Sequence, residues 1–153
     1  MPIRNHVAAL AAAALSLSVA TDASAALWSS TNTVAPISGM ATMEISLTGD
    51  QLTVASDLEI AMPAGITNVT VTRLNGAGCA YVSATRVVRL IVDDPLLRPL
   101  PAFARPMCSI QYRVSRSTSA PFPMRGALCF TVEGMPVPAG TCVVDPGYLT
   151  VVR

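Results

Sequence analysis

The stretch ATMEISLT, residues 41–48, alternates without a break. Ala41, Met43, Ile45 and Leu47 fall on one side, and Thr42, Glu44, Ser46 and Thr48 on the other. Successive side chains of an extended chain point to opposite faces, so the pattern describes a strand with one buried and one wet face. The same period recurs. In CSIQYRV (108–114), Cys108, Ile110, Tyr112 and Val114 alternate with Ser109, Gln111 and Arg113. ITNVTVTRL (66–74) sets Ile66, Asn68, Thr70 and Thr72 against Thr67, Val69, Val71 and Arg73, and is β-branched almost throughout. RVVRLIV (86–92) is apolar enough for a central strand, and ALCFTVE, TCVV and YLTVV follow. Gly49-Asp50 reads as a turn into QLTVAS (51–56), its hairpin partner. Past residue 25 no stretch sustains a 3.6-residue apolar period. LEIAMPAG (58–65) is ambiguous, and Pro63 would stop a helix there. About eight or nine short strands punctuated by Gly, Pro, Asn and Asp predict an all-β antiparallel sandwich, Ig-like or jelly-roll-like. Residues 93–107 carry four prolines and read as an extended connection. Residues 117–126 form a shorter loop with Phe122 between two prolines.

The first 25 residues follow another logic. Arg4 supplies a positive start, residues 7–20 form an Ala/Leu-rich run, and Ala23-Ser24-Ala25 is a small-x-small cleavage signal. This is the three-part pattern of a secretory signal peptide. The run is too short, and too rich in Ala, to span a bilayer, which takes about 20 strongly apolar residues. The expected organisation is a signal peptide over residues 1–25 and one domain over 26–153. The mature chain is expected to be periplasmic or extracellular, with no integral membrane insertion.

The residue types that are missing narrow the function. His6 is the only histidine, and it leaves with the leader; every basic residue is Arg, as in GC-rich bacterial genomes. A mature chain without His or Lys cannot build a Ser-His-Asp or Cys-His nucleophile system, a lysine Schiff base or a histidine metal site. Ten basic against nine acidic residues over the full chain leave no electrostatic footprint for nucleic acid. No cofactor or metal is expected. Asp57, Asp93 and Asp94 do not gather in a loop of the calcium-binding kind. A hydrolase using carboxylates alone stays open in principle, because two acids across a cleft suffice. Glu44, Asp57, Glu59, Asp93, Asp94, Glu133 and Asp145 are scattered, however, as solvated turn and surface acids are. Asn68-Val69-Thr70 matches the glycosylation acceptor pattern, which chance accounts for in a bacterial protein.

Cys79, Cys108, Cys129 and Cys142 contain no C-x-x-C pair. An even count in an exported chain implies disulfides rather than zinc. The favoured pairing is Cys79–Cys108 with Cys129–Cys142, the second closing a hairpin around GMPVPAG. Phase argues the other way. Cys129 is in step with Thr131 and Glu133, and Cys142 with Val144, so pairing 108–129 with 79–142 remains the alternative. Among the aromatic residues, alternation places Tyr112 and Phe130 in the core. Trp28, Phe103 and Phe122 lie in the N-terminal segment or in Pro-rich loops and are the candidates for a partner surface.

The order of features resembles that of bacterial cohesin-like and carbohydrate-binding-module-like β-sandwiches. The shared elements are an extended first half with Pro-x-Gly, here Pro63 to Val69, and a central I-x-[FY]-x-V strand, here Ile110 to Val114. The third is a terminal turn and strand ending in valines, here Asp145 to Val152. The resemblance implies a jelly-roll-like sandwich that binds a protein module or a polysaccharide and carries no catalysis. It transfers no binding residues, and the four cysteines depart from the cohesins of cellulose-degrading complexes. The expected function is an exported, non-catalytic binding or structural module for a polysaccharide or an envelope or extracellular protein. The alternatives are a pilin-like assembly subunit, associating through edge strands at residues 27–36 or 148–152, and the carboxylate-only glycoside hydrolase.

Overall fold

The computed structural model describes residues 25–117, 119–136 and 142–152. Apart from Ala25, the expected signal peptide lies outside them. The described residues form β1 (Ala26–Ser30), β2 (Thr33–Pro36), β3 (Met40–Thr48), β4 (Ala55–Ala61), β5 (Ile66–Arg73) and β6 (Gly78–Val82). They continue as β7 (Val87–Asp93), β8 (Arg105–Val114), β9 (Ala120–Pro121), β10 (Met124–Phe130), β11 (Cys142–Asp145) and β12 (Tyr148–Val152). A five-stranded sheet, β11-β1-β3-β8-β5, packs on a four-stranded sheet, β10-β4-β7-β6; a small third sheet, β2-β12-β9, extends one end. The core lies between the large sheets. Met43, Ile45, Leu47, Ile110 and Tyr112 enter from one, and Leu58, Ile60, Val88 and Leu90 from the other. Each fully buried aliphatic side chain stabilises the fold by about 1.5–3 kcal/mol.

The two ends of the domain lie side by side. β1 pairs with β11 in parallel and β2 pairs with β12 in parallel, in one common register (Ala26 opposite Cys142, Thr33 opposite Leu149). Between β1 and β2, and between β11 and β12, both segments break and cross from the large sheet to the small one. Gly147 makes the break possible. A Cβ there would sit within 2.5 Å of the Thr31 carbonyl oxygen, so only a glycine admits so close an approach.

Two disulfides bind the sheets together. Cys79 on β6 bonds Cys108 on β8, and Cys129 on β10 bonds Cys142 on β11, with Cα separations of 6.2 and 5.7 Å. The favoured pairing forms, but not as the rungs of a hairpin. Each bridge crosses between the four-stranded and five-stranded sheets, one on each flank of the sandwich. The phase objection falls because β10 ends at Phe130: Thr131 and Glu133 lie in the turn that follows, while the bulge between Arg125 and Leu128, with Gly126 at φ +61°, leaves Cys129 pointing inward, 2% exposed.

Other expectations are corrected. QLTVAS is not the hairpin partner of β3. Asp50 instead accepts the backbone N–H groups of Leu52 and Thr53 in a turn, and the chain crosses to the opposite sheet to start β4 at Ala55. The ambiguous 58–65 segment supplies most of β4. On β5 a bulge between Thr67 and Thr70, with Asn68 at φ +51°, shifts the alternation; Ile66 is buried and Val69 and Val71 pack on the core. The segments offered for edge-to-edge assembly are largely interior. β1 lies between β11 and β3, and β12 between β2 and β9, leaving only β2 at a sheet margin. Trp28 and Phe122 are fully buried, so neither forms part of a partner surface; Phe103 is 65% exposed. Trp28 is an anchor between sheets. Its indole N–H donates to the Ser56 hydroxyl at 2.8 Å, and that hydroxyl donates to the Leu128 carbonyl at 2.8 Å. Phe122 packs against Tyr112 at 5.6 Å, and Tyr112 shares a 2.6 Å hydrogen bond with Thr33.

Candidate functional site: the open face of the four-stranded sheet

Alternation on β4 and β7 buries Ser56, Leu58, Ile60, Val88, Leu90 and Val92 and turns their neighbours outward. Strand register then sets the outer side chains in rows. One row reads Leu128, Asp57, Ile91, Gly78 across β10, β4, β7 and β6. The next reads Arg125, Glu59, Arg89, Ala80. Leu128 is 49% exposed and Ile91 55%, so two large apolar side chains stand in solvent on either side of one carboxylate. Partial burial holds the Asp57 carboxyl above its usual pKa, because the charged form loses hydration there. Glu59 pairs with Arg89 at 2.8 Å. Both side chains are well exposed, so this pair orients the two groups more than it stabilises the fold.

The margins add to the patch. Val132 and Met135 are exposed beyond β10, where Phe130 forms an isolated bridge with Pro136, and Leu96 and Leu97 are exposed beyond β7. Gly78 and Ala80 leave the β6 side low. The surface is flat, with an apolar centre, charges of both signs beside it, and apolar residues at two margins. An exposed apolar patch rimmed by charge is the signature of a docking surface.

Asp57 and Glu59 share this flat face, and Glu59 is already tied to Arg89. Asp93 and Asp94, adjacent in the chain, line a cleft at the end of β7, and Asp94 is already engaged by a backbone N–H and by Arg98. Asp94 accepts the Leu96 backbone N–H at 2.8 Å and pairs with Arg98 at 2.9 Å, and the backbone bond first and Arg98 second lower its pKa. That is the opposite of what a general acid needs. Among the described residues no group of three or more His, Cys, Asp or Glu is placed to hold a metal ion, and no helix is long and apolar enough to cross a membrane.

Sequence reasoning passed over Ile91 and Leu128. RVVRLIV reads as a uniformly apolar strand, yet Val87, Arg89, Ile91 and Asp93 share a phase, and Arg89 and Asp93 mark it as the wet one. Leu128 had no such signal, because the Gly126 bulge resets the phase of β10.

No protein-family model matches this sequence, and no curated protein does. Solved structures do match. The third cohesin ScaC of Acetivibrio cellulolyticus, solved in complex with the ScaB dockerin, superposes with a TM-score of 0.69 at 10% identity, over 84% of this chain and 99% of that one. A type I cohesin–dockerin complex of Clostridium thermocellum, Coh-OlpA-Doc918, gives 0.66 at 12% identity, over 84% and 99%. A non-cellulosomal cohesin of the archaeon Archaeoglobus fulgidus gives 0.64 at 12% identity, over 84% and 92%. At these identities the likeness is one of fold: this chain is a cohesin-like β-sandwich.

Proposed function

We propose that this chain is an exported, non-catalytic module that docks a protein partner on the open face of β10-β4-β7-β6. The observation that carries the reading is the row Leu128–Asp57–Ile91, two exposed apolar side chains around one partly desolvated carboxylate, beside the Arg125–Glu59–Arg89 row. Burying Leu128 and Ile91 against a partner supplies the attraction, and the adjacent charges select among partners. The cohesins of similar fold solved in complex with dockerins support a protein as the partner. A polysaccharide fits this face less well, since its one aromatic side chain is the half-buried Phe130 and a sugar needs a flat exposed ring. The N-terminal leader pattern and the two disulfides support export to an oxidising compartment.

The test is capture from envelope and culture extracts by the immobilised, disulfide-bonded protein, with half of each extract treated with protease. The expected result is a bound protein that disappears after protease treatment and is lost with Ile91→Arg or Leu128→Asp. Binding that survives protease, or that ignores both substitutions, would exclude this face as a protein-docking site.

A further inference from the structure

A cleft of about 680 Å³ opens at one end of the sandwich, where β7 leaves the four-stranded sheet. Its walls are the β5–β6 turn at Asn75 and Gly76, the end of β7, the start of β8 and the Pro-rich segment 94–104. Such a volume falls in the range of ligand sites, about 300–1,000 Å³.

The cleft is built and held. Leu100 is buried, its N–H donates to the Thr53 carbonyl at 2.8 Å, and Pro101 accepts the Gly49 N–H at 2.7 Å, which fastens the Pro-rich wall to the body. The opposite wall is the turn closed by the Ala77 N–H to the Leu74 carbonyl, with Asn75 and Gly76 both at positive φ. The Asn75 side chain donates to the Pro106 carbonyl at 2.7 Å and accepts from the Arg105 guanidinium at 3.3 Å. Arg105 is therefore positioned by an amide, and among the described residues no carboxylate pairs with it. Arg98 lines the same cleft. Asp94 receives its Nε–H and the Leu96 N–H, so this acid is already satisfied while Arg98 keeps its terminal donors. No aromatic ring lines the cleft; its apolar walls are Pro95, Pro99 and Pro101 together with Val92, Leu100 and Met107.

An oriented guanidinium without a carboxylate asks for an anion, and its planar fork fits a carboxylate best. Asp93 also lines the cleft and disfavours more heavily charged groups. Proline walls accommodate an aliphatic side chain, and the lack of a ring removes the usual sugar platform. We propose that this cleft binds a carboxylate of a polypeptide partner, with Arg105 as the principal ligand and Arg98 as the second.

The test is NMR titration of the disulfide-bonded chain, reading the Arg Nε–H signals and the Gly76 amide. The probes are the acetylated tripeptide Ala-Ala-Val with a free C-terminus, the same peptide amidated, an amidated Ala-Glu-Ala peptide, inorganic phosphate and glucuronate. Saturable shifts with the free acid and not its amide are expected if the ligand is a chain end. Shifts with the glutamate peptide are expected if it is a side chain. Arg105→Gln should weaken binding by about tenfold or more, the loss of a charge-assisted bond, with Arg105→Lys between the two. Arg98→Gln gives a second reading should the Arg105 variants not fold. The proposal fails if the neutral amide shifts the same signals, or if phosphate or glucuronate saturates the site while the peptides do not. It fails equally if Arg105→Gln binds as the parent does, or if no peptide shifts these signals up to about 10 mM, beyond the millimolar range of weak specific binding.

Discussion

Replacing Ser56 by Ala removes the one hydroxyl that joins β1, β4 and β10. In the parent it accepts the Trp28 indole N–H at 2.8 Å and donates to the Leu128 carbonyl at 2.8 Å, and both Ser56 and Trp28 are fully buried. The substitution deletes a single oxygen, so the cavity left behind is small. The larger effect is the indole N–H, stranded where no water reaches. A buried donor without an acceptor costs about 1–3 kcal/mol, and the part-buried Leu128 carbonyl adds a smaller amount, for a total of about 2–3 kcal/mol. In a domain of this size each kcal/mol lowers Tm by about 3–5 °C, so a fall of about 6–15 °C is expected. The assay is reversible thermal unfolding, followed by far-UV circular dichroism and by emission from Trp28, the only tryptophan in the chain. Trp28→Phe closes a double-mutant cycle, because it keeps a ring and drops the donor. The two changes should couple by about 1–2 kcal/mol. A Ser56→Ala loss below about 0.5 kcal/mol, or strict additivity in the cycle, would show that the hydroxyl does not anchor the indole.

Three further outcomes follow from the same structure. Burial raises the Asp57 pKa, so the folded chain holds that proton more tightly than the unfolded one, and stability falls as pH rises from the ordinary carboxyl range through the raised value. Asp57→Asn should therefore be more stable than the parent in urea at pH 7, with the difference vanishing below pH of about 3.8, where both states are protonated; an unchanged gap at low pH would contradict this. Removing Cys79–Cys108, with a separation of 29 residues, should cost somewhat more than removing Cys129–Cys142, with 13, at about 3–4 kcal/mol each by chain entropy and measurable as urea midpoints. Gly147→Ala should cost on the order of 2–3 kcal/mol by driving a Cβ into the Thr31 carbonyl. Gly134→Ala, which meets no neighbour and only a φ of +73°, should cost about 1 kcal/mol in the same melt.

The strands with unbroken alternation were legible in the sequence. β3 and β8 bury Met43, Ile45, Leu47, Ile110 and Tyr112, as their period requires. What escaped was set by backbone irregularity or distant partners. The bulges at Asn68 and Gly126 each add a residue, after which an alternation count gives the wrong face. Trp28 and Phe122 look like loop aromatics until Ser56 and Tyr112, far away in the chain, come to meet them. The favoured cysteine pairing forms, but not through the hairpin that suggested it, because the sheet that owns each strand is a property of the whole topology. The proposed docking face was half legible: the charges of Arg89 and Asp93 mark the wet phase of β7, while the pairing of Ile91 with Asp57 and Leu128 is a matter of register.

The parallel pairing of the first and last strands determines how the domain would meet a pulling force. Tension applied at Ala26 and at Val152 acts on opposite ends of one parallel ladder, β1/β2 against β11/β12, so its hydrogen bonds load together in shear instead of opening one by one. Rupture then demands the whole ladder at once. The covalent crosslinks act after rupture: the loops they close, with separations of 29 and 13 residues, stay out of the tensioned path and withhold roughly 140 Å of extension. In an oxidising compartment the domain is thus a short, stiff tether, and reduction would turn it into a long one.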